Sequence, residues 1–459
     1  MSPSAPISWC LCLAVAALAP AAWGGASPEQ RVPGMEAHRI DEPVFNGRVV
    51  VYEAGYGNDR AVLLVHGIGQ EGARDYREHI GWLSKSYHVI TVDLPGFGQS
   101  DKANVLYSPT NYSRVLKYVA DRFLSRPFVL VGHSMGAVAS LRYAADYPED
   151  VQRLVLVSSA GELHRNSLTN FYLAHVGLES VPSAVDPLEG LAWLARKLIG
   201  TAERIRFDSQ VILSTPEMRQ NFLGADPAKI AGFAVVSEDL RQVVPRIRAE
   251  TLIIWGGRDT IAPIRTGRVL AAKLPNARLT VIERAEHEPM LQTPEAFRAA
   301  LEPFLNGGLP SSAPGETASP EYRGNRLCSR TSSRVFEGEY DSLTLDGCRQ
   351  VRIRNSVVRE LRVLDSEVEI EDSRIGGGKI GLYARSSTIL VTGGRIEGDT
   401  AIRADGSRLD LAAVEVEGSK AAVTASRRSY VVFSLSRVDS PRTHGELHDF
   451  YSISPKNPL

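Results

Sequence analysis

A chain of 459 residues is too long for one ordinary domain, and 43% hydrophobic with 23% charged residues is a globular composition. The formal net charge is −1 and the two signs are interspersed, so no strong field would attract nucleic acid or an anionic membrane. These values predict two folded domains and exclude an electrostatic nucleic-acid binder.

The first residues resemble a secretory signal peptide. The apolar stretch 9–22 is too short to span a bilayer comfortably, and small residues follow it at 24–27. No Lys or Arg precedes the apolar run, which departs from the usual pattern. We therefore predict a signal peptide over residues 1–26 and a secreted or periplasmic protein, with a retained membrane anchor as the alternative.

After removal of this segment the chain would keep two cysteines, Cys328 and Cys348. In an oxidising compartment such a pair predicts a disulfide, worth on the order of 3 kcal/mol for a loop of about 20 residues. Two free buried thiols are the alternative. No Cys/His spacing indicates a zinc site, and we predict no metal or cofactor.

Strand-like and helix-like patterns alternate along the first part of the chain. Apolar runs predict strands over 48–52, 61–66, 88–93, 128–131 and 153–158, with helical spacing between them, for example over 111–125. This alternation is typical of an α/β domain with a doubly wound, mostly parallel sheet. In such a sheet, ligands bind outside the carboxyl ends of the strands.

One of these strands leads directly into Gly132-His133-Ser134-Met135-Gly136, and a helix-like pattern follows at once. A serine at such a junction must adopt a strained backbone for its hydroxyl to project from the sheet. Glycines two residues away on either side remove Cβ atoms that would collide. We therefore predict that Ser134 is a nucleophile. His66 and His133 lie in tight turns, and we expect structural roles for both.

The strand alternation stops at Glu162, and helical patterns take over at 188–199, 216–222 and 239–244. An insertion between consecutive strands, at the active-site edge, is well placed to cover a pocket. We therefore predict a cap over residues 162–244. Its large apolar side chains either line the pocket or form the cap core; they are Phe171, Tyr172, Met218, Phe222 and Phe233.

A serine nucleophile needs a base to take its proton and a third group to orient that base. Two late strands, over 251–255 and 278–282, are followed by Asp259 and His287 respectively. The chain order nucleophile, acid, base is that of α/β-hydrolases. Glu162 and Asp93 are rival acids, although we expect Asp93 to brace its own Pro-Gly turn.

With these motifs the chain resembles the α/β-hydrolase superfamily, the esterase, lipase and C–C hydrolase group with an inserted cap. The resemblance covers roughly residues 48–305. The matching stretches, in chain order, are 66–69, 93–100, 132–136, 256–263 and 287–297.

The resemblance implies a role for each candidate residue. Ser134 would attack the substrate carbonyl, His287 would act as general base and then acid, and Asp259 would hold the imidazole tautomer. Backbone N–H groups of Ile68 and Met135 would stabilise the oxyanion. Related haloalkane dehalogenases and epoxide hydrolases use aspartate in place of this serine, which argues against those activities.

Residues 306–320 are rich in Pro, Gly and Ser, and we predict a linker that ends a hydrolase domain of residues 27–305. From 321 to 459, apolar pairs recur about every 20 residues, a period typical of solenoids. The segment resembles a right-handed parallel β-helix of the pectate-lyase-like kind, with an irregular sandwich as the alternative. The recurring pairs are Val368/Ile370, Ile389/Val391, Leu409/Leu411 and Tyr430/Val432, and Ile375, Ile396 and Val416 recur in phase with them.

The leading hypothesis is a secreted serine hydrolase that cleaves a small-molecule or lipid-like carboxylic ester. The same triad could instead cleave a C–C, thioester or lactone bond. A third hypothesis makes the β-helix the working part, as a polysaccharide-binding or adhesion module at a cell surface. The β-helix sequence contains no stripe of aromatic residues that would bind a polysaccharide. We therefore expect the β-helix to be a stabilising or targeting appendage instead.

Overall fold

The computed structural model describes residues 32–69, 72–124, 127–164, 167, 209–307 and 324–459. The predicted signal peptide, most of the predicted linker and the helical pattern at 188–199 lie outside these residues. The chain separates into two compact units, the second of which contains Ser311–Leu459. No helix within the described ranges combines the length and apolar character needed to cross a membrane.

The first unit is built on an eight-stranded sheet in the order β1-β2-β4-β3-β5-β6-β7-β8. The β1–β2 and β2–β4 pairs are antiparallel, and all other neighbours are parallel. The predicted mostly parallel sheet is therefore confirmed. The strands are β1 Glu36–Glu42, β2 Gly47–Ala54, β3 Ala61–Val65, β4 His88–Asp93, β5 Phe128–His133, β6 Val151–Val157, β7 Glu250–Gly256 and β8 Ala277–Ile282.

Nine α-helices lie in the described part of this unit and its connections. They are α1 Arg77–Leu83, α2 Pro109–Phe123, α3 Met135–Asp146, α4 Ser209–Ser214, α5 Pro216–Leu223, α6 Pro227–Val236, α7 Ile264–Lys273, α8 Pro289–Gln292 and α9 Pro294–Leu305. Short 3-10 helices lie at Gly72–Tyr76 and Val244–Arg246.

The central strands explain where the site forms. Every residue of β3 and of β5 is buried, because neighbours cover both faces of these parallel strands. The polar side chains that follow them can therefore emerge only at the strand ends. Parallel neighbours put those carboxyl ends at one edge of the sheet, which is the edge where ligands bind in such folds.

Some elements differ from the predicted ones. Strand β1 was not predicted, because only one of its seven residues is buried and its sequence carries little apolar signal. The predicted helix at 239–244 is wrong: the carboxylate of Asp239 accepts the Arg241 N–H at 3.0 Å, which favours a turn, and a 3-10 helix follows. Helix α6 was missed despite a strong start signal, Asp226 as N-cap with Pro227 after it.

The second unit is β-rich, and its strands pair mostly in parallel with the strand one repeat later. A 14-stranded sheet links all of them, with antiparallel pairs only at β19–β22 and β20–β21 among its described pairings. The strands are β9 Asn325–Ser329, β10 Val335–Asp346, β11 Val351–Leu364, β12 Glu367–Glu371, β13 Arg374–Gly376, β14 Ile380–Arg385, β15 Thr388–Thr392, β16 Arg395–Asp405, β17 Arg408–Ala412, β18 Glu415–Thr424, β19 Ser429–Ser434, β20 Ser436–Asp439, β21 His444–Leu447 and β22 Phe450–Ile453.

Columns of apolar residues run through this unit at the predicted repeat. Val368, Ile389 and Leu409 are register partners on successive strands, and so are Ile375, Ile396 and Val416. The last predicted pair is out of phase by one residue. The partner of Leu409 is Val431 rather than Tyr430, because one extra residue lies in the preceding turn.

A ladder of buried serines joins successive repeats of the second unit. The Ser366 N–H donates to Ser387 Oγ at 3.1 Å, and the Ser387 N–H donates to Ser407 Oγ at 3.2 Å. Ser366, Ser387 and Ser407 each follow a residue with positive φ: Asp365 at 49°, Ser386 at 49° and Gly406 at 65°. At these corners a left-handed residue therefore precedes a serine that satisfies the backbone of the repeat before it.

We expect Ser387→Ala to destabilise the second unit by about 1–3 kcal/mol, because it leaves the buried Ser366 N–H without its acceptor. Urea-induced unfolding and amide exchange at Ser366 would measure the effect. Ser419→Ala is the matched control, because the Ser419 hydroxyl bonds Asp399 on the exposed surface. Equal shifts for the two variants would contradict a role for the ladder.

The disulfide prediction is confirmed. Cys328 on β9 and Cys348 after β10 are bonded to each other, with a Cα–Cα distance of 6.7 Å. Both side chains are buried among the apolar columns of the second unit. The bond therefore closes the first repeat of the unit against the second.

Candidate active site

The junction between β5 and α3 holds Ser134 in a strained backbone, with φ 52° and ψ −118°. A Cβ at Gly132 would lie 2.5 Å from the Gly136 carbonyl oxygen, and a Cβ at Gly136 would lie 2.3 Å from the His66 carbonyl oxygen. No side chain fits at either position. The glycine spacing is therefore a steric requirement of the turn that presents the serine.

The structure brings Ser134, His287 and Asp259 into one chain of hydrogen bonds. Ser134 Oγ lies 3.0 Å from His287 Nε2, and His287 Nδ1 lies 2.9 Å from Asp259 Oδ2. A carboxylate oxygen only accepts, so Nδ1 carries the proton and Nε2 is free to accept the serine proton. This arrangement can raise the nucleophilicity of the serine hydroxyl.

Asp259 is held in place by the loop that follows β7. Its Oδ1 accepts the N–H groups of Ile261 at 2.9 Å and Ala262 at 2.8 Å. Those bonds leave Oδ2 for His287 and fix the carboxylate plane. Between them, Ser134 and Asp259 engage both ring nitrogens of His287, so neither nitrogen is left for the rival acid Glu162.

Both carboxylate oxygens of the second rival acid, Asp93, accept hydrogen bonds from residues around its own turn. Its Oδ1 accepts the Ala73 N–H at 2.8 Å, and its Oδ2 accepts the Gln99 N–H at 2.9 Å and the Tyr52 hydroxyl at 3.0 Å. Burial, together with the neighbouring Asp93 charge, raises the pKa of Tyr52 well above its usual range. Asp93 therefore braces the Pro-Gly turn, as the sequence predicts.

One predicted oxyanion donor belongs to the residue after the serine, and the other belongs to the loop that follows β3. Met135 is the first residue of α3, and Ile68 follows Gly67, where a Cβ would lie 2.9 Å from Ser134 Cβ. Neither N–H has a hydrogen-bond partner among the described residues. Both amides are thus available to a negatively charged oxygen beside Ser134.

His66 is buried and joins two loops of this edge. Leu94 N–H donates to its Nε2 at 2.9 Å, so its Nδ1 carries the proton, which it donates to the Gly67 carbonyl oxygen at 2.6 Å. Both nitrogens are consumed, which excludes His66 as the base. Its structural role, which the sequence predicts, is carried by the side chain.

His79, which the sequence analysis did not single out, braces helix α8, which begins two residues after His287. Trp82 Nε1–H donates to its Nδ1 at 3.1 Å, so its protonated Nε2 donates to the Met290 carbonyl oxygen at 2.9 Å. Burial lowers the pKa of His79 from its ordinary value of 6.5. The folded state therefore holds this ring in its neutral form.

This neutral histidine predicts a pH dependence of stability. Between the lowered folded pKa and 6.5 the unfolded chain binds more protons than the folded one, so the contribution of His79 is complete above pH 6.5 and is lost as the pH falls below it. The stability difference between wild type and His79→Gln, from urea unfolding at pH 5 to 8, should shrink toward acid. A pH-independent difference would contradict the assignment.

The described part of the predicted cap is attached to the helices beside the serine. Glu238 accepts Arg142 Nε–H at 3.0 Å and the Thr110 hydroxyl at 2.9 Å. Phe233 is buried, as expected for a residue of the cap core. Met218 and Phe222 are half-buried. Phe171 and Tyr172 lie outside the described residues.

Within the residues that the structure describes, no group of three His, Cys, Asp or Glu side chains is arranged to hold a metal ion.

Known proteins share the first unit of this chain. Residues 60–294, a little over half of the chain, match the model of the α/β hydrolase fold. A 2-hydroxy-6-oxo-6-phenylhexa-2,4-dienoate hydrolase of Burkholderia cepacia is 29% identical over 279 residues, which cover 58% of this chain and 94% of that protein. Lipase 1 of Psychrobacter immobilis is 27% identical over 266 residues, covering 56% of this chain and 82% of the lipase. A 2-hydroxy-6-oxononadienedioate/2-hydroxy-6-oxononatrienedioate hydrolase of Comamonas testosteroni is 30% identical over 283 residues, which cover 58% of this chain and 94% of that protein. The chain belongs to the α/β hydrolase fold family and is a hydrolase of that family.

Proposed function

We propose that this protein is a serine hydrolase of carboxylic esters that works through an acyl-enzyme. The observation that carries the proposal is the hydrogen-bonded chain from Ser134 through His287 to Asp259, at 3.0 Å and 2.9 Å. The strained serine backbone and the two available amides beside it add support. An esterase role also agrees with the similarity to a lipase.

The proposed reaction begins when Ser134 Oγ attacks the ester carbonyl carbon and its proton passes to His287 Nε2. The carbonyl oxygen becomes an oxyanion, which the N–H groups of Ile68 and Met135 stabilise. His287 then gives its proton to the departing alkoxide oxygen, and an acyl-serine remains. A water molecule repeats the attack with His287 as base, which releases the acid and restores Ser134.

Hydrolysis of a p-nitrophenyl ester series, from acetate to palmitate, tests the proposal with the full-length protein. We expect turnover that a fluorophosphonate inhibitor abolishes, with a maximum at the acyl length that fits under the cap. A protein that the inhibitor labels but that cleaves no ester of the series would contradict the ester substrate class.

A second candidate is the cleavage of a C–C bond with the same three residues. It is favoured by the 29–30% identity to two hydrolases named for 2-hydroxy-6-oxo-dienoate compounds. Turnover of 2-hydroxy-6-oxo-6-phenylhexa-2,4-dienoate at a higher kcat/KM than any ester would favour it over the first candidate. Thioesters and lactones are further substrates to be compared in the same assay.

We also propose that the second unit is a parallel β-helix that serves as an appendage of the hydrolase. Parallel pairing at a step of about 20 residues and the serine ladder support this class. Its outward side chains form ion pairs between repeats, such as Arg352–Glu369 and Arg374–Glu397. These pairs occupy the outer face of the unit. Polysaccharide binding is the alternative to an appendage role. Comparing the hydrolysis of soluble and polymer-attached esters would test it.

We further propose that the mature protein acts in the periplasm or outside the cell. The apolar N-terminal sequence supports this location, and so does the buried Cys328–Cys348 disulfide, since disulfides persist in oxidising compartments. Mass spectrometry of the protein purified from its native cell fraction tests it. A mature N-terminus near residue 27 is the expected result, and an intact N-terminus in the cytoplasm would contradict it.

A further inference from the structure

His133, the residue before the proposed nucleophile, joins three loops of the site. Its side chain is buried, and its ring centroid lies 5.0 Å from that of His287. Its Nε2 lies 3.0 Å from the backbone carbonyl oxygen of His287, and its Nδ1 lies 3.3 Å from Asp75 Oδ2. The ring therefore spans the space between the 3-10 helix Gly72–Tyr76 and the loop of the proposed base.

Asp75 extends this connection to the third loop. The same Oδ2 accepts the Gly67 N–H at 3.3 Å, directly before the proposed oxyanion donor Ile68. Asp75 is itself buried. The carboxylate thus holds the oxyanion loop and the ring of His133 at one point.

Both contacts of the His133 ring are with acceptors. A carboxylate oxygen and a backbone carbonyl oxygen cannot donate, so both ring nitrogens must carry a proton for both bonds to exist. The charged and titratable groups around the ring are Asp75, Glu288 and His287. Burial alone would lower the pKa of His133, but the bond to Asp75, the two acidic charges and the His287 carbonyl outweigh it and raise that pKa.

We propose that His133 is a positioning residue for His287: the imidazolium, held by Asp75, grips the His287 carbonyl and keeps its ring between Ser134 and Asp259. The inference deepens the proposed function and rests on it for its kinetic consequences. A loop that carries a base needs such an anchor, because a misplacement of about 1 Å can cost about 100-fold in rate. Sequence patterns place no such role on His133.

Two substitutions separate the two contacts of the ring. The Gln amide nitrogen can occupy the position of Nε2 and still donate to the His287 carbonyl, whereas the Asn amide nitrogen matches Nδ1 and reaches only Asp75. We expect His133→Asn to lower kcat about 10- to 100-fold with KM within about twofold, and His133→Gln to restore most of that loss. His88→Gln is the control, because His88 pairs with Glu53 at the far end of β4.

A second readout does not depend on catalysis. Amide hydrogen exchange over residues 285–290 should be faster in His133→Asn than in wild type, and near wild type in His133→Gln and His88→Gln. Wild-type kcat together with wild-type exchange in His133→Asn would overturn the proposal. If Ser134→Ala retains turnover, the proposed function fails by itself. In that case, faster exchange in His133→Asn would still support the anchor, and equal exchange would overturn it.

Discussion

Ser134→Ala is expected to lower kcat for the best p-nitrophenyl ester by at least about 10⁴-fold, with little change in KM. The substitution removes the atom that forms the acyl bond, and the remaining residues can only bind substrate and stabilise charge. Initial rates of purified wild-type and variant protein under identical conditions measure the effect. Circular dichroism would show that the variant keeps its fold.

Ser113→Ala is the matched control for this loss. Ser113 is a buried serine on α2 whose hydroxyl has no hydrogen-bond partner within the described structure, so its removal should leave kcat unchanged. Comparable turnover by Ser134→Ala and Ser113→Ala would show that the measured hydrolysis has another origin.

Asp259→Asn is expected to lower kcat by about 10³- to 10⁴-fold. An amide nitrogen facing His287 Nδ1 would favour the wrong imidazole tautomer, in which Nε2 carries the proton and cannot accept one from Ser134. The bonds to Ile261 and Ala262 can still form through the amide oxygen, so the fold should survive. Steady-state kinetics with the same ester measure the loss.

Glu162→Gln provides the comparison, because Glu162 is the rival acid after β6. Both ring nitrogens of His287 are already engaged by Ser134 and Asp259, so kcat of this variant should stay within about threefold of wild type. A larger loss in Glu162→Gln than in Asp259→Asn would reverse the assignment of the acid.

Local rules were sufficient to predict much of the first unit. The strand, turn and helix around Ser134 follow from glycine spacing, because steric exclusion acts between residues close in sequence. Asp259 and His287 could be placed because each directly follows a strand, and parallel strands end at one edge. The structure brings these three side chains together, and their catalytic roles remain the proposal.

The supporting contacts could not be predicted from the sequence. His133 bonds the carbonyl of a residue 154 positions away, and His79 bonds one 211 positions away. No local pattern encodes such distances, and a buried histidine has the same sequence signal whether it braces a loop or fills a core. These contacts emerge only when the loops are packed.

In the second unit, by contrast, most of the strand register could be predicted from the sequence. Its apolar columns repeat locally, so pairs such as Val368 and Ile370 predicted the register correctly. The phase failed after a turn of different length, which placed Val431 in the column instead of Tyr430. Residues 430–433 are all apolar, so no alternation shows which of them face the core, and a shift by one residue exchanges the two faces of the strand.

The central claim is that Ser134 carries the acyl group during turnover. Rapid acid quench of the reaction with a p-nitrophenyl ester, followed by peptide mass spectrometry, tests it directly. The account predicts one acyl group on the peptide that contains Ser134, formed in a burst that matches p-nitrophenol release. Steady ester turnover with the acyl group on another residue, or with Ser134 unmodified throughout the burst, would contradict it.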